Sequence, residues 1–159
     1  MRTFTKLIDA ASEGDSFEEL FEEGVILPLS VTGTSMLPLL HPERSVVMLE
    51  GISGETVKKG DILLFRRENG SFVLHRVRKC FPDGCLQMNG DAQDWCEVIE
   101  RERVIAVVRE VITDGRHENR IFIQLYNHLW PLTFGFRRSL IAVAISVRRI
   151  FPRKQRGTK

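Results

Sequence analysis

Between Val25 and Val111 the chain is written in short apolar runs: VILPLSV, SVVML, DILLFRR, SFVLHRV, CLQMNG and RVIAVVREVI. The runs are rich in β-branched residues. Turn residues separate them at Ser53-Gly54, Lys59-Gly60-Asp61, Glu68-Asn69-Gly70, Pro82-Asp83-Gly84 and Asn89-Gly90. Runs of this length and texture, punctuated in this way, predict strands and a small, mainly β domain. Asn69-Gly70 is the strongest hairpin signal, because Asn-Gly supplies the positive φ angles that tight hairpins require. Outside this region the period lengthens. Phe4, Leu7, Ile8 and Ala11, then Phe17, Leu20 and Phe21, recur at helical spacing with a break near Gly14. They predict two short helices within residues 1–24, the second capped by Asp15 or Ser16. Beyond Gly115 a strand or loop is expected up to Pro131, then a C-terminal helix from about Phe136 to Phe151. Three segments result: an N-terminal helical segment (1–24), a β-rich core (25–115) and a C-terminal helix with a basic tail (116–159).

At 159 residues, 43% hydrophobic and 28% charged, the chain has one domain's length and the balance of a globular protein with a real core. No apolar run approaches the ~18 residues of a membrane span, and the polar, acidic start does not resemble a signal peptide. A cytoplasmic protein, peripheral at most to a membrane, is expected. Cys80, Cys85 and Cys96 contain no Cys-x-x-Cys pair, so free thiols are expected, with a Cys80–Cys85 bridge across a hairpin as the alternative. His41, His117 and His128 show no ligand spacing with one another or with cysteine, so neither metal nor cofactor is expected.

The net charge of +2 conceals a polarity. Residues 1–24 hold seven acids and two bases, whereas Arg137 to Lys159 hold eight bases and no acid. Such a tail is drawn to anionic lipid, nucleic acid or an acidic partner. Trp95, Phe122 and Trp130 are not interleaved with a basic stripe, so they read as core or interface residues and nucleic acid is not the expected partner.

Three stretches carry candidate chemistry. In Gly33-Thr34-Ser35-Met36-Leu37-Pro38 a glycine precedes a serine at a bend, Met36 offers an apolar anchor and Pro38 stops the strand. Taken alone, Ser35 is a turn residue. As a nucleophile it needs a base within reach. In Phe72-Val73-Leu74-His75-Arg76-Val77 alternation places Val73, His75 and Val77 on one face, and an imidazole among apolar neighbours suits a general base. In Met88-Asn89-Gly90-Asp91-Ala92-Gln93-Asp94 either Asp91 or Asp94 can aim a carboxylate at His75 to fix its tautomer; the plainer reading of each is a turn-closing side chain.

The ordered set GTSMLP, VKKGDILLFRR, FVLHRV, MNGDAQD and RVIAVV resembles the peptidase domain shared by signal peptidase I and LexA-type self-cleaving repressors. The likeness covers about residues 25–111. It implies the β-rich peptidase fold of that group and a serine endopeptidase acting on a leader or signal-type segment, in trans or on itself. Ser35 is then the nucleophile and His75 the base, as in the archaeal and endoplasmic-reticulum branch, where bacterial enzymes and repressors have lysine. Asp91 matches the acid of the Gly-Asp box, Asp94 matches a second aspartate less closely, and Gly60-Asp61 matches a structural box. Gly33 stands where signal peptidases usually carry a hydroxyl, which leaves Thr34 or Thr32, with the Ser35 N–H, for the oxyanion. Lys79 lies on the face of His75 but roughly 13 Å along the strand, too far to replace it. The partner implied is a peptide or protein bound as an added extended strand, with membrane-surface contact through the basic segment. The rivals are a non-catalytic peptide-binding module on the same fold and a regulator whose basic tail binds nucleic acid or membrane.

Overall fold

A computed structural model describes residues 21, 26–52, 56–136 and 139. The chain is mainly β. One antiparallel sheet holds β1 (Leu27–Ser30), β2 (Ser45–Gly51), β3 (Ile62–Arg66), β4 (Phe72–Cys80), β5 (Leu86–Asn89), β6 (Glu97–Ile99) and β7 (Val104–Thr113), in the order β1-β2-β7-β3-β4-β5-β6, with β8 (Arg116–His117) pairing β7. All six runs expected to be strands are strands. The two short ones, β6 and β8, carry too few residues to show a period.

The central strand explains its own sequence. β3 pairs with β4 and β7 at its two edges, and side chains pack on both its faces, so its apolar run is continuous. Ile62 and Leu64 point into one core cluster with Met36, Leu40, Val47, Leu49, Ala106 and Val111. Leu63 and Phe65 point into a second, with Val77, Leu86, Met88, Ile99 and Val107. The domain thus has a core on each side of its sheet, and any side chain on β3 or β4 is assigned to one of them by its parity.

The Asn69-Gly70 hairpin joins β3 to β4, with Arg66 opposite Phe72. Only Gly70 takes a positive φ (83°). Asn69 instead accepts hydrogen bonds from the Ser71 N–H (3.1 Å) and hydroxyl (2.7 Å), and Arg67 N–H to Ser71 O (2.9 Å) closes the loop. The paired positive φ angles occur at Asp114 and Gly115, where β7 turns tightly into β8.

The segment expected to be a strand or loop before Pro131 is largely an α-helix, α1 (Arg120–Leu129), followed by a 3-10 turn at Trp130–Thr133. Its inner face is Ile123 and Tyr126, packed on the first core cluster. Phe122, Leu125 and Leu129 continue that stripe with their side chains exposed, so the helix is amphipathic and part of its apolar face is uncovered among the described residues. The helices expected within 1–24 and 136–151 lie almost wholly outside the described residues. Among the described residues, no helix is long and apolar enough to cross a membrane, and Cys80, Cys85 and Cys96 are free.

Candidate active site

Ser35 sits in the turn that leaves β1. Leu37 N–H to Thr34 O (3.2 Å) and Leu40 N–H to Met36 O (3.0 Å) close that turn, and Met36, Leu39 and Leu40 are buried beneath it. Met36 anchors the turn in the core, with 2% of its surface exposed, and also lines the cavity shared by Ser35 and His75. From the other side the loop after β5 grips the turn, since the Ala92 N–H donates to Ser35 O at 2.8 Å. This contact explains Gly90. A β-carbon there would stand 2.7 Å from Ser35 O and 2.6 Å from Gln93 Oε1, so only glycine lets the two loops meet.

His75 is buried on β4, on the side of the second core cluster as alternation required, together with Val73 and Val77. Phe65 and Trp95 flank its ring at centroid distances of 6.0 and 6.3 Å. Its Nδ1 lies 3.1 Å from Glu97 Oε1, which leaves Nε2 outside that contact, and His75 is one of the residues that line a cavity with Ser35. Burial, the largest influence, pushes the imidazole below its usual 6.5; the Glu97 charge opposes this and the Arg67 charge adds to it. Burial alone would raise Glu97, but the hydrogen bonds and charge of Arg67, with His75, hold it below the ordinary carboxylate value. The pair therefore presents a neutral imidazole against an ionised carboxylate at neutral pH.

The carboxylate expected to orient His75 was that of Asp91 or Asp94, and here the structure corrects the sequence. Asp91 is buried against Arg76, with Arg76 Nε to Oδ1 and Nη2 to Oδ2 both at 2.8 Å. Arg76 also donates to Gly60 O (2.9 Å) and to Asn127 of α1, and lies over the Tyr126 ring. The reason is parity. Arg76 pairs with Asn89, and Asp91 lies two residues beyond Asn89, on the face opposite His75. Val77 pairs with Met88, and Met88 with Glu97, which carries Glu97 to the His75 face. Asp94 is exposed in the loop between β5 and β6. The only sequence signal for Glu97 is inverted polarity in Glu97-Val98-Ile99: Val98 is 59% exposed, while Glu97 shares its face with buried Ile99.

Ser35 and His75 line one cavity of about 370 Å³, with Gly33, Thr32, Arg67 and Gln93, and with apolar walls that include Leu29, Val31, Leu64 and Leu74. Ser35 Oγ and His75 are not hydrogen-bonded to each other, and among the described residues the Ser35 N–H has no acceptor. Gly33 is exposed, with open space where a side chain would be. Both threonines are exposed; Thr32 lines the cavity, whereas Thr34 supplies its carbonyl to the turn. Two edges border the cavity. β1 ends the sheet, and β5 pairs with β4 only from Arg76 onward, so among the described residues Val73 and Leu74 have β3 as their one strand neighbour.

Gly60 and Asp61 lie away from the cavity. The Gly60 N–H donates to Val77 O (2.9 Å), the Val77 N–H to Asp61 O (2.8 Å), and Asp61 Oδ2 caps the Lys58 N–H (2.9 Å). Lys79 is exposed, with Nζ 4.7 Å from the centre of the Phe81 ring. Among the described residues, no group of three His, Cys, Asp or Glu side chains is gathered as metal ligands. Chemically, the cavity is lined by residues that carry a hydroxyl, a neutral imidazole held by an ionised carboxylate, and a backbone N–H without an acceptor among the described residues, the parts that acyl transfer uses. In comparison with known proteins, no family model and no curated protein matches the chain.

Proposed function

We propose that the protein is a serine endopeptidase of the signal-peptidase and LexA-type kind, with Ser35 as nucleophile, His75 as base and Glu97 in the role first expected of Asp91. The observation that supports it most is the sharing of one cavity by Ser35 and His75, with Nδ1 of that histidine held by Glu97. Ser35 Oγ attacks the carbonyl of the scissile peptide bond as its proton passes to His75 Nε2. The imidazolium so formed is stabilised by Glu97 and returns the proton to the leaving amine. The Ser35 N–H, with Thr32 beside it, receives the oxyanion. A substrate lying extended between the β1 and β4 edges adds a strand, and its alternate side chains enter the apolar cavity. Small or apolar residues at the scissile bond follow, as in a leader segment. Association with an anionic membrane surface is part of the same reading, supported by the exposed Leu129, Leu132 and Phe136 and by a cleft that Leu132 lines together with Lys58 and Lys59.

The test needs no known substrate. The folded chain is treated with an alkyl fluorophosphonate and mapped by mass spectrometry. Expected is one adduct, on Ser35, absent in Ser35→Ala and slowed on the order of 10²-fold or more in His75→Ala. No adduct, or an adduct at another residue, refutes the peptidase reading. The lack of a Ser35–His75 hydrogen bond favours the second reading, a peptide-binding module. In that case wild type and Ser35→Ala bind extended peptides equally and neither cleaves them.

A further inference from the structure

We propose that Arg67 is a positioning residue for this site, holding the Glu97 carboxylate in the orientation in which it serves His75. The kinetic consequence rests on the peptidase reading; the structural claim does not. Glu97 lies on a three-residue strand at the end of the sheet, with β5 as its one strand partner among the described residues. Few backbone contacts therefore restrain it, and its side chain needs another hold. Arg67 provides two: Nε donates to Oε2 at 2.8 Å and Nη2 to Oε1 at 2.6 Å. Oε1 is the same oxygen that His75 Nδ1 approaches at 3.1 Å. Three donors on two oxygens fix both the plane and the distance of the carboxylate, which a single contact from His75 would leave free to rotate.

Arg67 is itself pinned. Its N–H donates to Ser71 O and its carbonyl accepts from the Gly70 N–H, both at 2.9 Å, so it belongs to the closing pair of the β3–β4 hairpin. Its guanidinium also lies 6.0 Å from the centre of the Trp95 ring, which meets the imidazole edge-on. One residue thus braces the carboxylate and one aromatic wall of His75. A lysine would keep the charge and lose the fork, so the two contributions are separable.

The experiment uses the full chain with ¹⁵N-labelled histidine. The His75 tautomer is read by NMR at a pH where the ring is neutral, and the plateau rate of fluorophosphonate modification is measured beside it, for wild type, Arg67→Lys and Arg67→Gln. Expected are a single tautomer with the proton on Nδ1 in wild type, mixed tautomers in both variants, and plateau rates lower by about tenfold or more. Wild-type tautomer and rate in both variants would overturn the proposal. So would full rescue by Arg67→Lys, which would reduce the role to charge. If wild type is not modified at all, the peptidase reading fails and the tautomer comparison alone decides Arg67. The side chain is one-third exposed, and Arg67→Lys is conservative enough to keep a folded variant in the series.

Discussion

Removing the Asp91 carboxylate distinguishes a structural role from a catalytic one. In Asp91→Ala the Arg76 guanidinium, whose side chain is 4% exposed, loses its counter-ion and two hydrogen bonds while Gly60 O and Asn127 remain. A buried charge stripped of its partner costs about 3–5 kcal/mol. Against a typical total of about 5–15 kcal/mol, that is a large share. With a urea slope of about 2 kcal/mol/M, a loss of about 4 kcal/mol moves the unfolding midpoint down by about 2 M. Replacing both partners by apolar residues of similar volume, Arg76→Met with Asp91→Leu, should recover much of the loss, because no charge is left stranded. Urea titrations followed by Trp fluorescence measure all three proteins. Ser35 modification by fluorophosphonate, measured at a temperature where Asp91→Ala is folded, should stay within a few fold of wild type. An Asp91→Ala protein that keeps its midpoint within 0.5 M yet loses modification by orders of magnitude would refute the reasoning and return Asp91 to the catalytic set, with the threshold of about 0.5 M set by the same slope.

The remaining predictions concern the site and the outer face of α1. Gly90→Ala forces the Ser35 carbonyl or Gln93 to move, and should destabilise the fold by about 1–3 kcal/mol and slow Ser35 modification, both measurable on one sample. The pH profile of modification should have an acidic limb with its midpoint below 6.5, because burial lowers the His75 pKa. Glu97→Gln, which removes the anion favouring imidazolium, should move that midpoint further down while lowering the plateau. Between its folded pKa and 6.5 the unfolded chain binds the His75 proton more readily, so this group makes stability rise with pH across that window and level off above it, as urea midpoints at several pH values can check. Leu129→Glu, on an exposed position of α1, should weaken co-sedimentation with anionic vesicles without changing Ser35 modification; equal co-sedimentation would remove α1 from any membrane contact.

Much of the sheet is legible in the chain because strand-forming information is local. Continuous apolarity in DILLFRR follows from burial on both faces of β3, and SFVLHRV carries the parity that sends His75 and Arg76 to opposite sides. The face of His75 and the bend at Ser35 were legible for the same reason, whereas their meeting at one cavity belongs to the tertiary structure. Helix α1 was legible as well, against the expectation of a strand or loop, since Phe122, Leu125, Tyr126 and Leu129 recur at helical spacing. The acid beside His75 was not. Which carboxylate meets Arg76 and which meets His75 depends on the register of three strands: Arg76 beside Asn89 draws Asp91 to one face, while Val77, Met88 and Glu97 in a row bring the other acid to His75. Local sequence states the parity of each strand; the register that aligns one strand's parity with the next is set by packing the whole sheet, and only the tertiary structure contains it.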